Sequence, residues 1–262
     1  MINSLFACPK LSWRFWPVYR RNFLVWRKLA ISSVLGNIAD PLITLLAFGY
    51  GLGKLLPQVA GLPYIVYLAA GSLCMSTMMA ASFEALYSAF SRMHVQKTWD
   101  SIMNSPIELD DIVAAEWLWA ATKSMFSAIA ILLVIVLLGI SRQPTLVFVL
   151  PVAMLVGLTF SALGLCFNAL ASGYDSFSYY FTLVLTPLIF ISGVYYPMSN
   201  LPEWLELIAR ILPLSSAVQL VRPLVVGEWP SMPLAKVMHL LAFALASFYI
   251  ALVLTRRRFS KA

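Results

Sequence analysis

The chain has 262 residues, of which 61% are hydrophobic and 11% charged, against roughly 45 to 50% apolar and about 25% charged in an ordinary soluble domain. That balance excludes a soluble globular protein, and its apolar runs reach the roughly 20 residues needed to cross a bilayer as a helix. Eighteen Lys and Arg against eleven Asp and Glu give +7, an excess that in so apolar a chain reads as membrane topology rather than nucleic-acid binding.

At the start of the chain, positions 9–28 place Phe15, Trp16, Tyr19, Phe23 and Trp26 within about 100° of one another on a helical projection. Arg14, Arg20, Arg21, Arg27 and Lys28 occupy the neighbouring arc. The pattern predicts an interfacial helix with rings in lipid and cations on phosphates, and Pro17 is placed to kink it. Basic residues recur out to Lys28, unlike the short basic region of a cleavable signal, so the N-terminus is expected to be retained.

The first span is predicted at 31–53, interrupted at Asp40-Pro41, where an acid before a proline predicts a kink or a helix start. A turn-rich stretch leads to the second span, 64–90, with Glu84 near its end. The third, 110–139, would be about 45 Å long as a helix and must tilt or project from the bilayer. The fourth and fifth, 146–171 and 177–195, are separated by the polar break Ser172-Gly173-Tyr174-Asp175-Ser176. Between 197 and 232 prolines punctuate two short apolar helices, read as outward re-entrant pieces. A sixth span at 234–254 ends in Arg256-Arg257-Arg258.

Six spans put both termini on one side of the membrane. Twelve basic residues fall on that side, counting the loop after the second span, against five on the other, so both termini are expected in the cytoplasm. The expected fold class is all-α: one polytopic transmembrane domain over 1–262, with six transmembrane helices, the interfacial helix and the re-entrant pair.

Catalytic signatures are missing. No G-x-x-x-x-G-K-[ST] phosphate loop occurs, and Gly49-Tyr50-Gly51-Leu52-Gly53 ends a membrane helix instead of joining a strand to one. No G-x-S-x-G elbow occurs. His94 and His239 are isolated, and Cys8, Cys74 and Cys166 are scattered, so no metal and no disulfide frame is expected.

The apolar run 183–187, the outward segment and the residues around it carry a resemblance. Ser192-Gly193-Val194-Tyr195-Tyr196-Pro197, Leu201-Pro202-Glu203-Trp204-Leu205, Leu212-Pro213-Leu214 and Arg222-Pro223 resemble the signature of type-2 ABC exporter permeases. Gly36-Asn37-Ile38-Ala39-Asp40-Pro41, Ala69-Ala70-Gly71, Phe83-Glu84, Thr98-Trp99-Asp100 and Ala120-Ala121-Thr122-Lys123 look like the nodulation-factor (lipo-oligosaccharide) exporters within that family. The likeness runs through nearly the whole chain.

The resemblance implies an inner-membrane homodimer carrying two copies of a separate ABC ATPase, which would bind ATP and Mg and drive a lipid-linked amphiphile outward. It places a coupling helix at 95–103 within the loop 92–106, with Arg92, Lys97, Thr98, Trp99 and Asp100 touching the ATPase. Trp99 would be the anchor, since a large ring gains most when a partner buries it. It also favours the second and fifth spans as dimer interface and substrate pathway, where Tyr179, Tyr180, Tyr195 and Tyr196 combine ring faces with hydroxyls. An aromatic belt at the bilayer surface accounts for the same tyrosines. Gly193, Pro197, Pro202, Trp204, Pro213 and Arg222 would form the outward gate.

Charges inside spans are costly and usually paired. Adjacent antiparallel spans would bring Glu84 near Glu116 and Lys123, a cluster expected to couple loop motion to the spans. Two other functions stay open: a drug, antibiotic or phospholipid exporter of the same architecture, and a membrane scaffold that binds an ATPase without transporting.

Overall fold

Apolar runs that must satisfy their own backbone in lipid fold as helices, and helices dominate the computed structural model, which describes residues 6–56 and 58–260. In chain order they are α1 (Phe15–Arg27), α2 (Ala30–Thr44), α3 (Tyr64–Val95), α4 (Thr98–Met103), α5 (Leu109–Leu137), α6 (Pro144–Leu170), α7 (Asp175–Ile191), α8 (Glu203–Ile211), α9 (Pro213–Val226) and α10 (Pro233–Phe259). A two-residue hairpin, β1 (Gln58–Val59) with β2 (Leu62–Pro63), precedes α3, turning through Ala60 and Gly61 at positive φ. The chain is an all-α, multi-spanning membrane protein: α3, α5, α6 and α10 are long and apolar enough to cross a bilayer, and α8 with α9 qualifies as a pair bent by 83°.

Two predicted spans come out shorter among the described residues. The apolar stretch near the first is Leu42–Lys54, and the fifth is α7, about 25 Å long against roughly 30 Å of hydrocarbon. Nor does the first break at Asp40-Pro41. The backbone of α2 runs through these positions, and a π-helical turn follows at Leu45–Gly51, where Gly49 and Gly51 weaken the preference for α geometry. Pro17 sits in the first turn of an unbroken α1, where its missing N–H has no helical partner to lose.

The core forms around α6, which packs against α10, α5, α3 and α9, while α1 and α2 lie on α5. Small residues set the close approaches, as expected where helices associate by packing rather than by water exclusion. A Cβ on Gly164 would stand 2.8 Å from Ala85 of α3, and one on Gly157 would meet the Ala121 backbone of α5 at 3.0 Å. Buried polar side chains tie the same helices: Trp117 Nε1 donates to Leu158 O (2.7 Å), Asn168 Nδ2 to Ala85 O (2.7 Å) and Thr159 Oγ1 to Leu240 O (3.2 Å).

Both described ends of the chain meet at one end of this bundle. Asp110, at the start of α5, accepts from Lys10 N (2.9 Å) and from the Arg256 guanidinium of α10. Asp111 accepts from Ser12 N (2.7 Å) and Ser12 Oγ (2.8 Å). Arg258 Nη1 donates to the carbonyls of Asn168 (3.0 Å) and Ala171 (2.7 Å), capping α6, where the dipole is negative.

Candidate functional site

Near the same end, α3 departs from α geometry twice, through π turns at Glu84–Ser88 and Ser91–Val95. In a regular helix residues eight apart are rotated by about 80°, but one extra residue in the intervening turn makes eight positions act like seven, within about 20°. Glu84 and Arg92 therefore face the same way, with Arg92 Nη2 donating to Glu84 Oε1 at 2.9 Å.

The third helix of the site, α5, supplies Glu116, Trp119 and Lys123 along one face at i, i+3, i+7. Arg92 donates through Nε to Glu116 Oε1 (2.8 Å) and through Nη2 to Glu116 Oε2 (2.5 Å). Lys123 Nζ donates to Glu84 Oε2 at 2.6 Å, and Trp119 Nε1 to Glu84 Oε1 at 2.9 Å. Trp99 Nε1 of α4 completes the set at 3.3 Å from Glu116 Oε1. Glu84 and Glu116 are 3% and 1% exposed. Two cations on two carboxylates leave the quartet neutral, so neither acid lies buried without a partner.

The sequence places the rings of α1 in lipid, but several pack against this site instead. Tyr19, Phe23 and Trp26 meet Trp119 edge-on at 6.0, 6.2 and 5.9 Å, Trp26 stacks on Phe126 at 4.7 Å, and Tyr19 Oη donates to Thr122 Oγ1 at 3.0 Å. Trp16 remains exposed. The aromatic arc is thus satisfied by the tryptophan and phenylalanine of α5, which no periodicity within α1 reveals.

The expected ATPase-contact residues divide. Trp99 is 1% exposed, its ring stacked on Phe259 at 6.2 Å, so it anchors α4 to its own chain and not to a partner. Arg92 is consumed by Glu84 and Glu116. Lys97 and Asp100 are exposed and Thr98 half-buried, with Lys97 at φ 49° where the loop turns into α4. The exposed residues of this loop include His94, Val95, Gln96, Lys97, Asp100, Ser101 and Asn104.

The four tyrosines do not gather into one path. Tyr179 is 67% exposed, while Tyr180, on the opposite side of α7, is buried against Phe167 with its hydroxyl 3.4 Å from Ser82 Oγ. Tyr195 lies beyond α7, its ring near Phe48 and Phe190 and its hydroxyl 3.5 Å from Met75 Sδ; Tyr196 is half-buried.

The predicted gate residues occupy the bend between α7 and α9. Gly193 has φ +78°, a backbone that L side chains rarely adopt, and its carbonyl accepts from Arg222 Nη2 (2.6 Å) and Tyr67 Oη (3.1 Å). The Arg222 guanidinium lies 3.6 Å above the Tyr67 ring, joining α9 to α3. Pro197 precedes the turn Met198–Asn200, Pro202 caps α8 and Pro213 opens α9, while Trp204 is exposed. Sequence reasoning missed the Asp110–Arg256 pair and the Arg258 cap, because each joins residues more than 80 positions apart. Among the described residues no group of three or more His, Cys, Asp or Glu is placed to hold a metal ion.

The ABC-2 type transporter family model matches residues 14–225. Nodulation protein J of Rhizobium meliloti (strain 1021) is 40% identical over 256 residues, 96% of each chain. The protein of the same name from Rhizobium leguminosarum bv. viciae is 41% identical over 245 residues, 92% of this chain and 93% of the relative. The inner membrane transport permease YadH of Escherichia coli (strain K12) is 24% identical over 182 residues, 68% of this chain and 71% of that one. With a helical membrane bundle as its fold, the chain belongs to the ABC-2 type transporter family as a membrane-embedded permease that is not itself an enzyme.

Proposed function

We propose that the chain is the membrane subunit of an ATP-driven exporter in the bacterial inner membrane, moving a lipo-oligosaccharide or a similar lipid-linked amphiphile outward. The observation that carries this reading is the similarity to nodulation protein J, 40% to 41% identity over 92% to 96% of this chain. In the proposed arrangement the chain crosses six times, with the Leu42–Lys54 stretch and α7 completing their crossings through flanking residues, α8–α9 re-entering from outside and both termini in the cytoplasm. Two chains pair through α3 and α7, whose exposed apolar residues include Phe83, Tyr179, Leu183 and Phe190. Two copies of a separate ATPase, holding ATP and Mg, dock on the 92–106 loop.

The charge network supplies the transmission. A push on α4 passes through Trp99 to Glu116 of α5 and through Arg92 to α3, so both helices move with the loop. At the far end, Arg222 ties α9 to the Gly193 carbonyl of the bend and, over the Tyr67 ring, to α3, which makes the outward bend responsive to the same motion.

The test is reconstitution in proteoliposomes with the ATPase from the same bacterium, reading ATP hydrolysis and outward movement of a fluorescent lipo-oligosaccharide together. Cargo-stimulated hydrolysis with ATP-dependent movement supports export. Hydrolysis that no amphiphile stimulates, with nothing moved, refutes it and leaves a scaffold.

A further inference from the structure

Between α1 and α3 lies a recess that borders the charge network. Its outer part, about 400 Å³, is lined by Arg21, Asn22, Tyr87, Ser91, Arg92 and Tyr174. An inner part of about 200 Å³ reaches Trp26, Glu84, Trp119 and Lys123, and the two share Asn22, Val25, Ser88 and Arg92.

Two polar groups of the recess are incompletely partnered among the described residues. Asn22 is 3% exposed, yet its Nδ2 has no hydrogen-bond acceptor, and a buried donor left unpaired is costly. Arg21 donates to Asn22 Oδ1 at 3.3 Å, and no carboxylate among the described residues is in ion-pair contact with it. Burial, then the Arg92 guanidinium, push Arg21 below the ordinary arginine range, with the Glu116 carboxylate offsetting part of that effect. Glu84 and Glu116 neutralise Arg92 and Lys123, so Arg21 is the cation in excess and stands at the mouth. An anion there would pair with Arg21 and accept from Asn22 Nδ2 together.

The surroundings define the rest of the ligand. The Tyr87 and Tyr174 rings stack on each other beside the opening, centroids 6.0 Å apart, and the volume suits a headgroup, not acyl chains. An exposed apolar strip, Val25, Leu29 and Ile31, leads away from the mouth along α1 and α2.

We infer that the recess between α1 and α3 is a binding site for the phosphate-class headgroup of an amphiphile whose tail stays in the bilayer beside Val25, Leu29 and Ile31. The inference deepens the exporter reading by naming where a cargo or regulatory lipid is first held, and the site is read out on the permease without its ATPase.

The experiment is native mass spectrometry of the full chain in neutral detergent, titrated with dioctanoyl phosphatidate, dioctanoyl phosphatidylcholine and inorganic phosphate. One phosphatidate per chain is expected in preference to phosphatidylcholine. Arg21→Gln should weaken it roughly 10- to 100-fold, as for a lost hydrogen bond to a charged group. Asn22→Leu should weaken it by about 2- to 10-fold, and Arg21→Lys should restore most of the binding. If Arg21→Gln does not fold, Ser91→Leu, which fills the outer recess, should abolish binding instead.

Displacement of phosphatidate by millimolar inorganic phosphate assigns recognition to the anion alone, and failure to displace it assigns the site to a lipid. Phosphatidate binding unchanged by Arg21→Gln, or equalled by phosphatidylcholine, overturns the proposal while leaving the transport assay untouched. Conversely, a chain that binds phosphatidate through Arg21 but moves no amphiphile with its ATPase refutes export and keeps the site.

Discussion

Replacing Arg92 with Met isolates the central energetic claim about the charge network. Arg92 makes all three of its hydrogen bonds to the two buried glutamates. Without it Glu84 keeps Lys123 at 2.6 Å and Trp119 at 2.9 Å, but Glu116 keeps only the Trp99 Nε1 contact at 3.3 Å among its described partners. That contact exceeds the about 2.7 to 2.9 Å of a charge-assisted bond. A trio with net charge −1 is left in an interior where Arg92 itself is only 14% exposed. Breaking a buried pair from one side costs about 3 to 5 kcal/mol, and a membrane-denatured state that finds other partners brings the expected value to the lower end, about 3 kcal/mol.

The double variant Arg92→Met with Glu116→Gln removes the surplus charge and leaves Glu84–Lys123 intact. It should lie within about 1 to 2 kcal/mol of the wild type. Reversible unfolding in SDS mixed micelles, followed by helical circular dichroism, gives the cycle. A cost below about 1 kcal/mol for Arg92→Met, or a double variant as unstable as the sum of its singles, would refute the argument that the arginine neutralises Glu116.

Lys123→Met should cost less, about 1.5 to 3 kcal/mol, because Glu84 keeps Arg92 and Trp119; the same unfolding assay ranks the two. Trp99→Ala should cost about 3 to 5 kcal/mol for the emptied volume and lose the ATPase in a pull-down, whereas Trp99→Phe should keep assembly; equal losses would mean that the ring touches the ATPase itself. Gly71→Val should destabilise by about 1 to 3 kcal/mol, since a Cβ there overlaps the Val194 carbonyl, and cysteine labelling at position 194 should rise with it. Asp110→Asn should release residues 7–12 to limited proteolysis, because Lys10 N and Arg256 share that carboxylate.

The long spans were legible because they depend only on local composition: α3, α5, α6 and α10 sit within a few residues of the predicted ranges, although α3 runs on to Val95 and α10 to Phe259. Glu84, Glu116 and Lys123 were legible as charges that had to find partners. Arg92 was not, since eight positions is no helical spacing and the π turn that realigns it leaves no mark in hydropathy. Trp99 misled for a related reason: a large ring in a six-residue helix looks unpartnered until Phe259, 160 positions later, covers it. The recess was invisible because Arg21 reads as one more cation of an amphipathic helix, and what distinguishes it is its partial burial beside Arg92 across a tertiary contact.

The clasp among Asp110, Lys10 and Arg256 also bears on biosynthesis. Its acid emerges from the ribosome well before its partner: Arg256 follows 146 positions later, and Arg258 follows that. Until then α6 lacks the helix it packs against most extensively, its terminal carbonyls lack their cap, and Asp110 holds only the first segment. The bundle can close only once α10 has been made, so a chain cut short before Arg256 leaves the end of α6 uncapped and the Asp110 carboxylate without its guanidinium.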